Sequence, residues 1–382
     1  MHHTLRTAAG TAGWGLFLTS SWTWCIGMWL PTILIARFGW PGFWLFLIPN
    51  VVGCTAMGYV IRTRESSLAM VDRHRGPMRW FSVATVAYQL FFLSYIFGLH
   101  GDWLGLGEGS LGALVIPLAA LGLAVLASAL PWITWPWVGT AVFLATGITW
   151  LILGNGVAGQ IAWTGNEPPV ELWPAAPLII LGFLACPWLD PTFHRARQLA
   201  PNRHAFGVFG LTFLGVLLFV TTYCDLERGV LEMLGPLILA FFLYQAIFTM
   251  AVHLREIRLL AAPGAWGSTG LLTVVSLVGI VIGYSIWLIC CADIASSWLA
   301  DTYLRFLALY GLVFPAWILM FMLARTRLDA RSITILCAAL LLGFPFAEYG
   351  MIHGSHWWLL PPVAFVLLAP ALSTTLQSRP TT

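Results

Sequence analysis

Residues 12–36 read AGWGLFLTSSWTWCIGMWLPTILIA, an apolar run without a charged side chain. About 20 apolar residues in a helix are enough to cross the roughly 30 Å hydrocarbon core of a bilayer. The run is therefore long enough to span a membrane once. Its centre departs from the pattern, because hydroxyl residues cluster between Thr19 and Thr23, and Gly27 and Pro31 follow closely. The sequence predicts a first span that is interrupted near its middle.

The rest of the chain has the same apolar character. Of its 382 residues 59% are hydrophobic and 9% are charged, and the mean hydropathy is +0.86. A soluble domain carries roughly 25% charged residues. We therefore predict an all-α integral membrane protein with about twelve transmembrane helices, organised as a single membrane domain over residues 1–382. The predicted spans lie near 12–36, 38–61, 80–99, 110–129, 133–154, 173–190, 205–224, 231–253, 268–292, 304–324, 333–352 and 356–375.

Basic residues fix the predicted orientation. All 18 are arginine, and 15 of them fall on one face, in the two terminal segments and in the loops after the second, sixth, eighth and tenth spans. An excess of basic residues in loops marks the cytoplasmic side. We expect a multi-pass protein of the inner (plasma) membrane with both termini in the cytoplasm. The net charge of +3 gives no reason to expect a nucleic acid, so the expected partners are the lipid bilayer and a small-molecule solute.

A second predicted span is interrupted as well. The sixth contains Gly182 and Pro187 and ends in Asp-Pro. The interrupted spans open two blocks of five, 12–154 and 172–324. Five spans per block give the blocks opposite orientations, the arrangement of an inverted-repeat transporter whose site lies between the broken helices. The sequence thus predicts a five-plus-five inverted-repeat core, with two peripheral helices over 333–375.

Two short motifs accompany the interruptions. The first runs through Ser20-Ser21, Ile26-Gly27-Met28 and Pro31 to Phe38-Gly39. The second is Asp190-Pro191-Thr192-Phe193-His194-Arg195-Ala196-Arg197, followed by an apolar helix. Together they resemble the sodium/solute symporter family of the amino acid–polyamine–organocation superfamily, with His194 where glutamine is usual. The order of spans agrees over about residues 12–325. The resemblance implies secondary active transport of a small solute.

The chain departs from this family at the expected sodium site. The family completes that site with neighbouring Ser or Thr hydroxyls on the eighth core helix. Here the stretch 237–249 offers one such hydroxyl, Thr249, and no Ser. A hard cation requires several oxygen ligands, so the usual sodium site looks incomplete and the coupling ion stays open. We expect a transporter-like protein coupled to Na⁺ or H⁺, with no other cofactor or metal and no enzymatic activity.

The predicted solute site lies between the two interrupted spans. The abundance of Trp and the scarcity of charge there favour a neutral or aromatic solute. The candidate substrate-binding residues are Thr19, Ser21, Thr23, Trp24 and Gly27 on the first span, and Cys186 and Trp188 on the sixth. The candidates for ion coupling or gating are Ser20, Thr249, Asp190, Arg195 and Glu348.

Polar residues inside the other predicted spans are few. A charged side chain at the bilayer centre costs about 2.5–3.5 kcal/mol on insertion scales, so each is a functional candidate. Glu348 either couples protons, pairs with His353 or reaches outward to water. His253 ends the eighth span and is expected at the cytoplasmic interface. Three amides either line a polar path or form interhelical hydrogen bonds: Asn50, Gln89 and Gln245.

Ionisable side chains are densest directly after the sixth span, at Asp190, His194, Arg195 and Arg197. Three interpretations stay open: a cytoplasmic gate closed by an Asp190–Arg pair, a phosphate-binding site built on Arg forks, or the positive anchor of the span. Two other function classes also stay open. One is a membrane enzyme that uses Asp190 and His194 as an acid–base pair, and the other is a non-transporting sensor or structural subunit on the same scaffold.

Overall fold

The computed structural model of the protein describes residues 2–100, 110–153, 163–223, 235–261, 278–279, 281–282 and 295–377, and no strand occurs among them. The helices of the first half are α1 (His2–Trp22), α2 (Cys25–Phe38), α3 (Trp40–Val60), α4 (Arg64–Arg73), α5 (Arg75–Leu99), α6 (Ser110–Ala127) and α7 (Trp135–Leu153). Those of the second half are α8 (Leu172–Ala185), α9 (Pro191–Leu199), α10 (His204–Val220), α11 (Pro236–Leu259), α12 (Ala295–Ala308), α13 (Ala330–Ile352) and α14 (Leu360–Gln377).

Nine helices in the described ranges are long and apolar enough to cross a membrane. Two more apolar helices are shorter, Cys25–Phe38 and Leu111–Ala127. This confirms the coarse prediction of an all-α, multi-pass membrane protein whose outer surface contacts the lipid bilayer. The first predicted span is divided between α1 and α2. The ninth, 268–292, lies almost entirely outside the described residues, so the count of twelve stays a prediction.

The helix that begins with α12 is wound unevenly. It continues to Leu323 through two π-helical turns, Leu309–Val313 and Ile318–Leu323. A π turn closes its hydrogen bonds over five residues instead of four, which bulges the backbone outward. The first of these turns lies against α8, where a Cβ on Gly182 would be only 2.9 Å from the Tyr310 carbonyl oxygen. This close approach brings Tyr310 to the end of α8.

Small residues set the spacing of the inner helices. In the bundle α1 packs on α7 and α10, and α3 packs on α8 and α10. A Cβ on Gly15 would lie 2.8 Å from the Ala205 carbonyl oxygen, and a Cβ on Gly53 would lie 2.7 Å from that of Phe183. Membrane helices approach closely where glycine leaves room for the neighbouring backbone. These contacts hold α1, α3, α8 and α10 together around one interior region.

We expect Gly139→Ala to destabilise the protein by about 1–3 kcal/mol, the usual cost of an overpacked core. A Cβ on Gly139 would lie 2.6 Å from the Cα of Phe17, and backbone atoms cannot move aside as a flexible side chain can. Gly147 on the same helix has open space around its Cβ position. Gly147→Ala should therefore stabilise α7 by about 0.5–1 kcal/mol. Thermal unfolding of the purified variants in detergent checks both, and a Gly139→Ala variant that melts no lower than Gly147→Ala contradicts this packing.

Candidate functional site

The first interruption lies between α1 and α2. Helix α1 ends at Trp22, and Trp24 is extended, with φ −88° and ψ 177°. Side chains compete here for the backbone groups that the helix leaves free. The Thr23 hydroxyl donates to the Thr19 carbonyl at 2.7 Å, and the indole of Trp24 donates to the Ser21 carbonyl. The predicted interruption is therefore confirmed, and the hydroxyl residues and Trp24 stabilise it locally.

The second predicted interruption does not lie inside a span, because α8 runs unbroken to Ala185 and the sixth span ends directly after it. A 3₁₀ turn over Cys186–Trp188 ends the span, and α9 begins immediately afterwards at Pro191. Asp190 caps α9, because its Oδ1 accepts a hydrogen bond from the Thr192 backbone N–H at 2.7 Å. Aspartate at the N-cap and proline at the first helical position both favour starting a new helix at that point. The sequence Asp190-Pro191 thus separates the span from a short helix that runs on its own.

The break between α1 and α2 faces the end of α8 across a small cavity, here called the central cavity. Its volume is about 10 Å³. Its walls come from α1, α2, α3, α8 and the π turn, and it is lined by Trp22, Trp24, Ile26, Gly27, Asn50, Phe183, Cys186 and Tyr310. A cavity of this size admits at most one water molecule. The structure therefore holds this region in an occluded conformation.

Three contacts close the central cavity. The Trp22 indole donates to the Asn50 Oδ1 at 2.7 Å, which ties α1 to α3. The Cys186 thiol donates to the Tyr310 carbonyl at 3.1 Å. The rings of Trp24 and Tyr310 meet edge to face with centroids 5.4 Å apart. All five of these side chains are buried, so the break residues are held by hydrogen bonds and aromatic packing.

The predicted solute-binding residues divide into two groups. Trp24, Gly27 and Cys186 line the central cavity together. The other four do not line it. Thr19 bonds to Thr212 at 2.6 Å, Ser21 and Thr23 bond to backbone carbonyls of α1, and Trp188 gives its carbonyl to His194. Sequence reasoning named Asn50 as a residue of a possible polar path but did not single out Tyr310, because the span of Tyr310 carried no break signal.

The central cavity continues towards one end of the bundle, here called the Arg37 end. A second cavity of about 10 Å³ shares Phe183 and Tyr310 with it. A third, of about 40 Å³, shares Leu30 and Leu178 with the second and reaches Arg37. The three cavities form a series from the breaks to the Arg37 end. Apolar side chains separate them in this conformation.

Ionic contacts cover the Arg37 end. Arg37 pairs with Glu167 at 3.3 Å, and the backbone N–H of His356 donates to Glu171 at 3.0 Å. The imidazole of His356 also lies 3.3–3.5 Å from the two glutamates. These contacts join α2, the segment before α8 and the segment before α14. They cover the third cavity at the Arg37 end without filling it.

The opposite end, here called the Arg195 end, is closed by α9. Arg195 forms a two-pronged ion pair with Glu256 of α11, with N–O distances of 3.0 and 3.1 Å. The Glu256 side chain is 1% exposed and that of Arg195 is 21% exposed. The Arg195 guanidinium also lies over the Trp132 ring, 5.1 Å from its centroid. The partner expected from sequence, Asp190, caps α9 instead.

The rest of the cluster after α8 is also engaged within the protein. His194 is buried, its Nε2 donates to the Trp188 carbonyl at 3.0 Å, and its Nδ1 lies 3.0 Å from the Ser67 hydroxyl. It therefore makes no acid–base pair with Asp190. Arg197 donates to the carbonyls of Ile61 and Arg62. An anion at this place would have to displace protein partners of both arginines.

Burial dominates the titration of this cluster. It raises the pKa of the Asp190 carboxyl to about 7, against the lowering effect of the Thr192 hydrogen bonds, and the Glu256 charge adds to the rise. Burial likewise lowers the pKa of His194 to about 4, so that the ring is neutral at neutral pH. The Oδ2 atom of Asp190 has no hydrogen-bond partner among the described residues. Asp190 is therefore the group in this cluster whose charge changes near neutral pH.

The remaining ion-coupling candidates are scattered. Ser20 donates to the Gly139 carbonyl at 2.8 Å and thereby joins α1 to α7. Thr249 is fully buried on α11, and its hydroxyl has no partner among the described residues. Glu348 is not a buried carboxylate: its side chain is 42% exposed and pairs with Arg305 at 2.6 Å, not with His353. The sequence placed Glu348 at depth in a span but could not give the face of α13 on which it lies.

His253 was expected at the membrane interface, and this prediction is wrong. Its ring is fully buried, its Nδ1 lies 3.0 Å from the Ser82 hydroxyl, and it packs edge to face on Trp24 with centroids 5.5 Å apart. The reason is that α11 continues to Leu259, six residues beyond the predicted span. Arg255 and Glu256 extend the helix because both find partners inside the protein.

The chain matches no protein-family model, no curated protein and no solved structure. The resemblance to the sodium/solute symporter family therefore stays a prediction that rests on the two short motifs. Function has to be argued from the geometry of the interruptions and the polar groups around them. No group of three or more metal-ligating side chains occurs in the part of the chain that the structure describes.

Proposed function

We propose that the chain is a secondary active transporter of the inner (plasma) membrane, with about twelve spans and both termini in the cytoplasm. It moves a small solute through the central cavity. The observation that carries this proposal is that the break in the first span meets the end of the sixth span at a cavity, and that two further cavities follow it in series to one end of the bundle. Interrupted helices at such a meeting point are the usual construction of a transporter site.

The packing of the helices supports an inverted repeat. In an inverted repeat, each span of one block corresponds to a span of the other. When corresponding spans are exchanged, the α1–α10 pair becomes the α8–α3 pair, and both pairs are in contact. The exchange also turns the contact of α1 with α7 into that of α8 with the π turn after α12, and both again occur. The α3–α10 and α5–α11 pairs, which are also in contact, each join two corresponding spans, so the exchange leaves them unchanged. A two-fold axis that relates the two blocks would produce all of these helix pairs.

The close approaches obey the same exchange. Gly15 meets the backbone of α10 at Ala205, and Gly53 of α3 meets the backbone of α8 at Phe183. Each places a span of one block against a span of the other through a glycine. In the proposed transporter these four spans form one body, and α5, α6 and α11 form the support against which it moves.

The lining of the central cavity favours a neutral solute with an apolar or aromatic part. Trp22, Trp24, Phe183 and Tyr310 offer ring surfaces, and Asn50 and Cys186 offer the polar contacts. No charged side chain is among the lining residues. A charged solute would have to be held by backbone dipoles at the breaks alone. Neutral amino-acid derivatives, amides and aromatic bases are therefore the first solutes to test.

We expect a solute that occupies the central cavity to raise the melting temperature of the purified protein. At a free concentration 100 times its dissociation constant, a ligand stabilises the bound state by about 2.7 kcal/mol. Gly27→Trp should abolish this shift, because the indole would take the space at the cavity wall into which the cavity must widen to hold a solute. Gly122→Trp is the matched control, since Gly122 of α6 is exposed with open space around it.

Solutes that pass this screen are then tested for uptake into liposomes that contain the protein, with Na⁺ and pH gradients applied separately. Uptake of a stabilising solute that Gly27→Trp removes and Gly122→Trp preserves supports the proposal. A thermal shift without uptake would favour the sensor on the same scaffold. A shift that survives in Gly27→Trp would place the solute outside the central cavity and contradict the proposed site.

A further inference from the structure

A row of buried polar side chains lies between α5 and α11. Ser82 of α5 bonds to His253 of α11, and further along α11 Thr249 and Gln245 are each at most 1% exposed. On α5 Gln89 is fully buried. Among the described residues, five polar atoms of this row have no hydrogen-bond partner: His253 Nε2, Thr249 Oγ1, Gln245 Oε1, and both Nε2 and Oε1 of Gln89.

Two contacts fix how the row is aligned. Near one end Ser82 meets His253, and near the other the rings of Phe92 and Phe242 pack with centroids 5.2 Å apart. From the first contact to the second, the residue number rises by ten on α5 and falls by eleven on α11, so the two helices are antiparallel. Gln89 lies at the level of Gln245, about 10–12 Å from the Ser82–His253 contact at 1.5 Å rise per residue.

Unpartnered polar atoms at this depth require an explanation. A buried polar group without a hydrogen bond costs roughly 1–3 kcal/mol in proteins, and water is not at hand in the bilayer core to compensate. Within the row, His253 is the only side chain with a basic ring nitrogen that can take up a proton. With Nδ1–H donating to the Ser82 oxygen, Nε2 presents a lone pair. His253 is thus a buried proton acceptor, and its ring contacts Trp24 at the first interruption.

Most of the ionisable groups around His253 lie on α5, α9 and α11. Among the described residues, α11 packs on α1, α2, α5, α6, α7 and α9. Neither α6 nor α7 contains an ionisable residue, α1 has none between residues 12 and 22, and α2 offers only the Cys25 thiol near the break. The other ionisable residues of α5, α9 and α11 are Arg75, Arg79, Tyr88, Tyr95, His194, Arg195, Arg197, Tyr244, Arg255, Glu256 and Arg258. Of these, Arg195 pairs with Glu256, and Arg255 donates to the Ser128 carbonyl.

We propose that the His253 imidazole is the proton-binding site that couples solute movement to a proton gradient; this inference rests on the proposed transport function. A proton from one side of the membrane bonds to the Nε2 lone pair, and the same N–H bond breaks when the proton leaves to water on the other side. The charged ring is attracted to the indole of Trp24, as cations are to aromatic rings. Protonation therefore tightens the contact that holds the first interruption closed, and deprotonation loosens it.

The test measures access to the central cavity through Cys186. A version that keeps only this cysteine is reconstituted in liposomes and labelled with a small methanethiosulfonate reagent from about pH 5 to pH 8, the range in which histidine titrates. The same rates are measured after His253→Gln, which keeps a polar side chain but cannot take up a proton. Dividing the two rates at each pH cancels the titration of the thiol itself.

At the high end of the pH range, we expect the labelling rate of the protein with His253 to equal that of His253→Gln. At the low end of the pH range, it should fall below that of His253→Gln by about fivefold or more, the lower range of typical coupling factors. His204→Gln, at an exposed position on α10, should leave the profile unchanged. A ratio that is flat with pH overturns the proposal. So does a Cys186 that stays unlabelled at every pH, because protonation would then not control access.

A second variant tests the same proposal independently of whether His253→Gln folds. Ser82→Ala keeps the imidazole and removes the oxygen that Nδ1–H donates to. Because a hydrogen bond to a charged donor is stronger than one to a neutral donor, the midpoint of the labelling profile should move to lower pH. An unchanged midpoint counts against His253.

Protection by solutes separates this proposal from the proposed transport function. If solutes protect Cys186 from labelling while the ratio is flat with pH, transport through the central cavity is supported and the proton site at His253 is overturned. If the ratio depends on pH but no solute protects Cys186, His253 controls access to the cavity and the proposed solute site is contradicted.

Discussion

Arg195→Met should destabilise the protein by about 3–5 kcal/mol, the usual cost of removing one partner of a buried ion pair. Methionine keeps the aliphatic stem of the side chain but removes the guanidinium, which forms the ion pair and lies over Trp132. It leaves the Glu256 carboxylate, 1% exposed, without its two-pronged partner. Thermal or denaturant unfolding in detergent measures the loss.

Arg75→Met is the matched control. Arg75 forms an ion pair with Asp72 at 3.0 Å, but the two side chains are 44% and 69% exposed. Exposed pairs contribute about 0–1 kcal/mol, so this variant should melt close to the wild type. Equal losses in the two variants would contradict the view that the Arg195–Glu256 pair closes its end of the bundle. Arg195→Met should also label faster at Cys186, since α9 would be held less firmly.

Asp190→Asn should make the protein more stable above pH 7 and remove a pH dependence that the wild type shows. Burial raises the pKa of Asp190 to about 7 from 3.8. The folded protein therefore holds this proton at pH values where the unfolded chain has lost it, so stability falls as pH rises from about 4 to 7. Three pKa units correspond to a loss on the order of 4 kcal/mol above that window. Asparagine keeps the Oδ1 cap on Thr192 and cannot ionise.

Asp329→Asn is the matched control, because Asp329 caps α13 in the same way, through the Ser332 backbone N–H at 2.8 Å. Asp329 is half-buried, and the hydrogen bond from Ser332 lowers its pKa. Its contribution therefore has the opposite sign: it is present at neutral pH and is lost as the pH falls through the acid range. Unfolding followed between about pH 4 and 8 separates the two. A wild-type stability that does not decline towards neutral pH, or a decline that persists in Asp190→Asn, contradicts the burial of Asp190 as the cause.

The local signals in the sequence predicted the break in the first span, whereas the sixth span ends where a second break was expected. Hydroxyl residues near Thr23 and the Asp190-Pro191 pair act on the backbone within a few residues of themselves, so their effect can be derived without a structure. Helix ends at Trp22 and Ala185 agree with that interpretation. The twelve-span count and the inverted repeat remain predictions, since the ninth span lies outside the described residues.

The contacts that depend on distant residues could not be derived in the same way. Glu256 lay beyond the predicted eighth span and looked like a loop residue. Only the position of α9 provides its partner, Arg195, 61 residues earlier in the chain. His253 was misplaced for the same reason, because α11 continues past its apolar run once its charges are paired. Periodicity alone also could not say that Glu348 faces Arg305 on a partly exposed surface.

In the proposed transporter, a central cavity of about 10 Å³ limits how fast and how tightly a solute can bind. Only molecules that have opened can accept a solute larger than water, so the measured dissociation constant equals the intrinsic one divided by the open fraction. If about one molecule in a hundred is open, the measured affinity is about 100-fold weaker than the site itself provides. The association rate then levels off with solute concentration at the rate of opening, instead of rising in proportion. Solutes with an intrinsic dissociation constant of about 1 μM would thus register only near about 100 μM, and variants that loosen the occluded state would bind them more tightly.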